Sequence, residues 1–374
     1  MSFEEHCRVI FSDNKTNKKK EILDDYFSWG RDKRHVTDDS EDAKFNGKGM
    51  PSLKMLLRKI IFLFRNFFIN IRFLNNSKNV LTKSYHDFSS SFHLMSDKAS
   101  KDLFCELILQ KIYGEKKIVL SSFTKDFIDS YEDSSREILE SKDTLQVYKW
   151  ILRKVLDKSS NIKLYTVPTL LNLIKLNRLY QYNGENKIIK VNSGDIVIDA
   201  GVGWGDTCTY LANACSGKEG GHLYAFDIVD DAISALESQL SIQDKDLPIT
   251  IVKKALYDKD NIKFYTTDPS PAAHIVKTPT KFQVKTIKID TFATENNLPR
   301  VDFIKMDIEG AEREALAGAR EVIEKHKPKL AISVYHLEDD LKVIPNLISS
   351  FRNDYEFYLD CTTGFGGETI LYCS

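Results

Sequence analysis

The sequence predicts an α/β fold, a doubly wound parallel sheet preceded by a mainly helical N-terminal region. Three observations carry that expectation. From about Ile188, short apolar runs alternate with helical stretches, the pattern of strands covered by helices on both faces. The first run, Ile196-Val-Ile-Asp-Ala200, ends in a glycine-rich turn that hands the chain to a helix. Upstream, residues 95–185 place apolar side chains at helical spacing instead.

The elements follow in order. Residues 1–52 are polar, with Lys18-Lys19-Lys20 and an acidic run from Asp38 to Asp42, and read as a loosely ordered or short-helical arm with a linker. Residues 53–185 read as a mainly helical domain that opens with a basic amphipathic helix over 53–74. Lys54, Arg58, Arg65 and Arg72 share one face of that helix, and the rest is strongly apolar. Between Asp42 and Asp87 the chain carries nine basic and no acidic residues. Such a helix either packs on its own protein with a solvated basic stripe or lies on an anionic membrane surface. Ser96 and Asp97 cap a helix carrying Leu103, Leu107 and Ile108. Further helices are expected over about 134–157 and 168–182.

In 186–374, strands are expected at Ile196–Ala200, Leu223–Asp227, Ile249–Lys253, Val301–Asp307 and Lys329–Val334. Two late strands, Glu356–Leu359 and Thr369–Tyr372, close the domain. Helices are expected from Gly205, through Asp231–Ser241, over Ala311–Lys325 and around Asp339–Phe351. Extra strands near Ile262–Tyr265 and Val284–Ile289 flank a loop, Thr267–Lys281, placed to line a pocket.

Composition sets the class. With 374 residues, two domains of about 150 are the first expectation. Apolar residues are 42% and charged residues 29%, ordinary for a globular protein and too apolar for a disordered one. A net charge of −1 supplies no global basic field for nucleic acid. Six scattered cysteines form no C-x-x-C pair and read as reduced thiols. The polar start Met1-Ser-Phe-Glu-Glu-His-Cys7 is no secretory signal, so the cytoplasm is the expected compartment, with its membrane face open. Oligomeric state is not readable.

Asp199-Ala-Gly201-Val-Gly203-Trp204-Gly205-Asp206-Thr207 sits where the first strand meets a helix. Glycines there let backbone approach a ligand closely, and the helix start offers free N–H groups. A dinucleotide-binding turn is the alternative. Asp206 stands where that motif wants Gly or Ala, and Asp199 suits an amino-bearing ligand better than a pyrophosphate. Asp227 ends the second strand, 22 residues after Gly205, where an acid accepts ribose hydroxyls. The most specific string is Lys305-Met-Asp307-Ile-Glu309-Gly310-Ala-Glu312. Asp307 and Glu309 would face the crevice of the glycine turn; the alternative is an acid-rich helix start.

The order of these strings, with Thr286-Ile-Lys-Ile-Asp290-Thr-Phe between them, resembles the FkbM family of S-adenosylmethionine-dependent methyltransferases over about 190–374. Weaker similarity reaches up to about residue 94. The resemblance implies a class I methyltransferase sheet, Rossmann-like, with seven strands and the last one antiparallel. It implies O-methylation of a sugar or natural-product hydroxyl, often in bacterial surface-glycan synthesis. S-adenosylmethionine would be held by Asp199, Gly201, Gly203 and Gly205 around its methionine and ribose, with Trp204, Asp206 and Thr207 completing the turn. Asp227 with Ile228 would take the ribose, where members more often carry Glu-Pro. Ala255 and Leu256 would flank the adenine, and Asp307 would lie near the amino-acid end or the transferring methyl.

A hydroxyl acceptor calls for a base, and His336, Glu309 and Asp307 are the candidate catalytic residues. A divalent ion on Asp307, Glu309, Asp290 or His336 is conceivable but no metal ligand is assigned. The acceptor would be a sugar or glycolipid hydroxyl, nucleic acid is not expected, and residues 53–74 offer peripheral membrane contact. The competing function is a non-catalytic scaffold that binds S-adenosylmethionine or a nucleotide and engages partners through its helical half.

Overall fold

The computed structural model describes residues 2–13, 88–115, 117–148, 150–217, 220–266, 275–276 and 283–374. The basic segment 53–74 and most of the 267–281 loop lie outside the described residues.

The core is a seven-stranded sheet. Its strands in chain order are β1 (Ile196–Ala200), β2 (His222–Phe226), β3 (Ile249–Val252), β4 (Phe303–Met306), β5 (Lys329–Ser333), β6 (Phe357–Cys361) and β7 (Thr369–Cys373). Across the sheet they stand β6-β7-β5-β4-β1-β2-β3, with β7 antiparallel to both neighbours and the other pairs parallel. Every residue of β1 and β4 is buried, which is why these central strands read as apolar runs, each with one charged residue, Asp199 and Lys305.

Alternation along the strands divides the core. Val197, Leu223, Ala225, Phe303 and Ala331 join the cluster containing Cys208, Leu211 and Leu236 of helices Asp206–Cys215 and Asp230–Ser241. Ile198, Ala200, Phe226, Ile304, Met306 and Ile332 join the other cluster. That second layer includes Phe292, Leu316, Ile323 and Ile344, and also Phe104 and Leu107 from the upstream helix Lys98–Tyr113. The first described helix, Phe3–Asp13, buries Phe3, Cys7 and Ile10 in this same cluster. Its His6 contacts Asp102 at 2.6 Å.

Three helices differ from the sequence expectation. The stretch 134–157 is not one helix: a helix spans Lys125–Glu140, and an antiparallel sheet of Thr144–Val147, Trp150–Asp157 and Ile162–Thr166 follows. Tyr148 takes a left-handed φ of 53° in the turn, and Ile162, Leu164 and Thr166 are buried on alternate positions. Tertiary partners fix this sheet: Gln239 accepts from the Tyr165 N–H at 2.9 Å and donates back to its carbonyl. The expected helix 168–182 stops at Lys175, with Asn177 and Tyr180 both at positive φ. The expected helix 311–325 is two, Glu312–Ala317 and Arg320–His326. At Gly318 between them a Cβ would meet the Tyr257 carbonyl oxygen at 2.1 Å, and Asp290 caps the second helix through the Glu321 and Val322 N–H groups. Asp290 is therefore a structural cap rather than a metal ligand.

Candidate active site

Register places the site. Ala200, Phe226 and Val252 pair in line, and Met306 pairs with both Ala200 and Ile332. The residues that follow these strand ends, Gly201, Asp227 and Asp307, therefore share the carboxyl edge of the sheet, where ligands of open α/β sheets bind. A cavity of about 60 Å³, open to solvent, lies there, lined by Gly201, Asp227, Ile228, Ala255, Leu256, Asp307 and Glu309 among others.

Gly201 shapes that opening. Its φ is +87°, and a Cβ would fall 1.9 Å from the Asp307 carbonyl oxygen, so only glycine lets the two loops touch. Asp227 braces the wall from the next strand. Its Oδ2 accepts from the Val202 N–H at 2.8 Å, and its Oδ1 accepts from Ile228 at 2.7 Å and Val229 at 2.8 Å. Burial nonetheless pushes its carboxyl above the ordinary range.

Asp199, expected to touch a ligand, is fully buried behind the turn. It pairs with Lys305 Nζ at 3.0 Å, and the two residues are cross-strand neighbours in the β1–β4 register. Lys305 also donates to the carbonyls of Ala200 and Gly201, and its ammonium sits 5.1 Å from the Tyr180 ring centre. Burial opposes its charge, but Asp199 and Asp307 outweigh that and hold its pKa above the usual lysine value.

The rest of the expected turn points elsewhere. Trp204 faces Trp150 of the antiparallel sheet, ring centres 6.1 Å apart. Asp206 accepts from Thr166 Oγ1 at 2.6 Å and is pushed up to about 6 by burial. A Cβ on Gly205 would strike Leu236, so that glycine serves helix packing. Gly203 (φ +60°) faces open space, and Thr207 is buried in the first helical turn. Asp199, Gly203, Trp204, Gly205, Asp206 and Thr207 thus stand outside the lining of the opening.

On the β4–β5 side, acids gather around one imidazole. Tyr180 donates to Asp307 Oδ2 at 2.8 Å and Tyr335 to Oδ1 at 3.1 Å. Burial would push the Asp307 carboxyl up, but Lys305 and His336 beside it hold it below the usual range. His336 Nε2 lies 3.4 Å from Asp307 Oδ1 and 3.7 Å from Glu309 Oε2, and its Nδ1 lies 3.0 Å from Glu312 Oε1. Burial disfavours a charge on this ring, yet Glu312, Asp307 and Glu309 overcome it and raise the imidazole to about 9. The surrounding acids thus favour the protonated ring over the neutral one. Glu309 sits at φ 55°, a left-handed conformation costly for a side chain with a Cβ. That bend sets its carboxylate at the rim of the opening.

Sequence reading missed Tyr180, Tyr335, Lys305 and Glu312 as site residues. Lys305 carried a signal, a charge inside the apolar run Phe303-Ile-Lys-Met306, and Tyr335 adjoins His336. Tyr180 lies 127 positions from Asp307 and no local pattern links them.

A seven-stranded sheet in this order, with β7 antiparallel and a ligand crevice at the ends of β1, β2 and β4, is the class I methyltransferase architecture. Residues 192–357 match the family model of the methyltransferase FkbM domain. The crystal structure of methyltransferase FkbM from Methylobacillus flagellatus KT is similar in fold, with 20% identity and a TM-score of 0.50. The likeness covers 79% of this chain and 60% of that one, so the chain spans about three fifths of that protein's length. Aeropyrum pernix fibrillarin, crystallised with natively bound S-adenosyl-L-methionine, aligns at 10% identity and a TM-score of 0.33, covering 50% of this chain and 69% of its own. No curated protein matches the chain in sequence.

Proposed function

We propose that the chain is an S-adenosylmethionine-dependent O-methyltransferase acting on a sugar hydroxyl of a glycan, glycolipid or natural product. The observation that carries this reading is the opening in the stretch that matches the methyltransferase FkbM domain, walled by Gly201, Asp227, Ala255, Leu256 and Asp307. S-adenosylmethionine is the cofactor. Asp227 keeps lone pairs for the ribose, Ala255 and Leu256 supply apolar walls for the adenine, and Asp307 offers a carboxylate to the cationic end.

The sulfonium methyl is already activated, so the protein's work is alignment and the disposal of one proton. Bound there, the cofactor would supply the methyl group, and the acceptor's hydroxyl proton would have to be taken up by a side chain of this protein. Glu309, at the rim and part-exposed, is the carboxylate placed to take it. His336 is hemmed in by acids and orients them. The closed Asp199–Lys305 pair lies below and holds the glycine turn.

Calorimetry with S-adenosylmethionine, its demethylated product and NAD tests the cofactor, and binding of NAD alone would overturn the reading. A labelled-methyl assay on surface polysaccharide extracts then tests the acceptor. Asp307→Ala should abolish transfer with the fold intact by circular dichroism; turnover at the wild-type rate would remove Asp307 from the site.

The basic charge of 43–86 supports an acceptor carried on an anionic membrane, with 53–74 as the contact. Among the described residues no helix is long and apolar enough to cross a membrane. Flotation with anionic vesicles, with and without residues 1–80, tests that contact.

A further inference from the structure

We propose that the corner formed by Asp307, Glu312 and His336 binds one divalent first-row cation beside the acceptor oxygen. This rests on the methyl-transfer reading above and gives that site a Lewis acid. Asp307 follows β4, Glu312 opens the helix after it, and His336 follows β5, the strand beside β4. One ligand atom from each of the three lies within 4.8 Å of the other two. Metal bonds of about 2.0–2.2 Å set the ligands of one ion roughly 3–4 Å apart. Through Nε2 the imidazole stands 3.4 Å from Asp307 Oδ1, a separation of that size.

A second observation points to a missing cation. The His336 side chain is 9% exposed, and neither ring nitrogen, both buried, has a hydrogen bond of proper geometry although carboxylates stand around it. Buried polar atoms in native proteins are almost always satisfied, so a ring aimed at acids without such bonds leaves room for an ion between them.

Charge agrees. Asp307, Glu309 and Glu312 face one imidazole, and the Lys305 ammonium beside Asp307 is shared with Asp199. The acids are also held as metal ligands usually are, by outer hydrogen bonds. Tyr180 and Tyr335 fix Asp307, and the Ile308 N–H fixes Glu312 Oε1 at 2.8 Å.

One imidazole and two carboxylates suit Mn²⁺, Fe²⁺ or Zn²⁺ better than Ca²⁺. An alcohol oxygen on such an ion loses its proton more easily, and that proton passes to Glu309 as the methyl moves from sulfur to oxygen.

The test uses the full chain after chelator treatment, titrated with Mn²⁺ alone while free ion is counted by electron paramagnetic resonance. Calorimetry with S-adenosylmethionine runs in parallel. We expect one Mn²⁺ per chain, and binding weakened at least about tenfold in His336→Gln and in Glu312→Gln. Neither residue lines the opening, so cofactor binding by these variants reports that they are folded. Wild type that takes up no Mn²⁺ at millimolar concentration overturns the proposal, whatever the variants do. Uptake that is equal in wild type and both variants overturns it too, because the ion then sits elsewhere. Wild type that binds Mn²⁺ through these residues but not S-adenosylmethionine upholds the metal site and overturns the methyl-donor reading.

Discussion

Lys305 is buried in the centre of the sheet with its ammonium on Asp199 and on the carbonyls of the glycine turn. Removing one partner of a buried pair leaves a bare charge, which costs about 3–5 kcal/mol, whereas removing both costs far less. Lys305→Met should therefore lower stability by that amount in urea melts. Lys305→Met with Asp199→Asn should recover a substantial part of it, and equal loss in single and double variants would mean the pair is not coupled. Asp227 works differently, through three N–H groups of the loops it joins. Asp227→Ala should weaken S-adenosylmethionine at least about tenfold by calorimetry, since charge-assisted hydrogen bonds to one carboxylate are each worth about 1.5–3 kcal/mol. Of these side chains, the acids were legible from their place at strand ends. Their partners were not, because Asp199 looks like a ligand-facing acid until the β1–β4 register sets Lys305 opposite it.

The element that makes the opening is the bend from β1 into the helix Asp206–Cys215, and its glycines are not equivalent. Gly201→Ala drives a methyl into the Asp307 carbonyl and should weaken the cofactor by about 100-fold or more, through displacement of the wall. Gly203→Ala meets no atom within 4 Å and should cost only the left-handed strain, about 1–2 kcal/mol. Calorimetry on the two variants checks this; equal losses would deny the close approach. Strands were the most legible elements, since β1 and β4 lie in the middle of the sheet and their apolar runs admit no other place. The helix expected over 134–157 failed because Leu145, Val147, Leu152 and Val155 suit either period. The choice was made by Gln239 and the neighbouring helices, which no local window contains. Helix 311–325 broke where Gly318 meets the Tyr257 backbone, again a distant contact.

Across the whole molecule, the antiparallel sheet and the large sheet are joined at Asp206 and Thr166, and this joint responds to pH. Burial raises the Asp206 carboxyl to about 6, against a small lowering by the Thr166 and backbone hydrogen bonds and by Lys305. A carboxyl raised on folding adds stability when protonated: the gain is full below the unfolded value near 4 and is lost as pH climbs through 6. The loss amounts to about 2–3 kcal/mol. Asp206→Asn should abolish that part of the slope, so the wild-type minus variant stability should fall between pH 4 and pH 6.5 in urea melts. A difference that stays flat would show that Asp206 is not perturbed. By itself the sequence determined the sheet, its glycine turn and the acids at its strand ends, because burial, backbone freedom and strand period are written into short stretches. Tertiary structure alone decided that Asp199 is buried against Lys305, that Tyr180 reaches Asp307, and that three carboxylates surround His336. Each of those facts depends on which strands become neighbours and on loops meeting across the sheet, and electrostatic energies change steeply over a few ångströms that no sequence interval encodes.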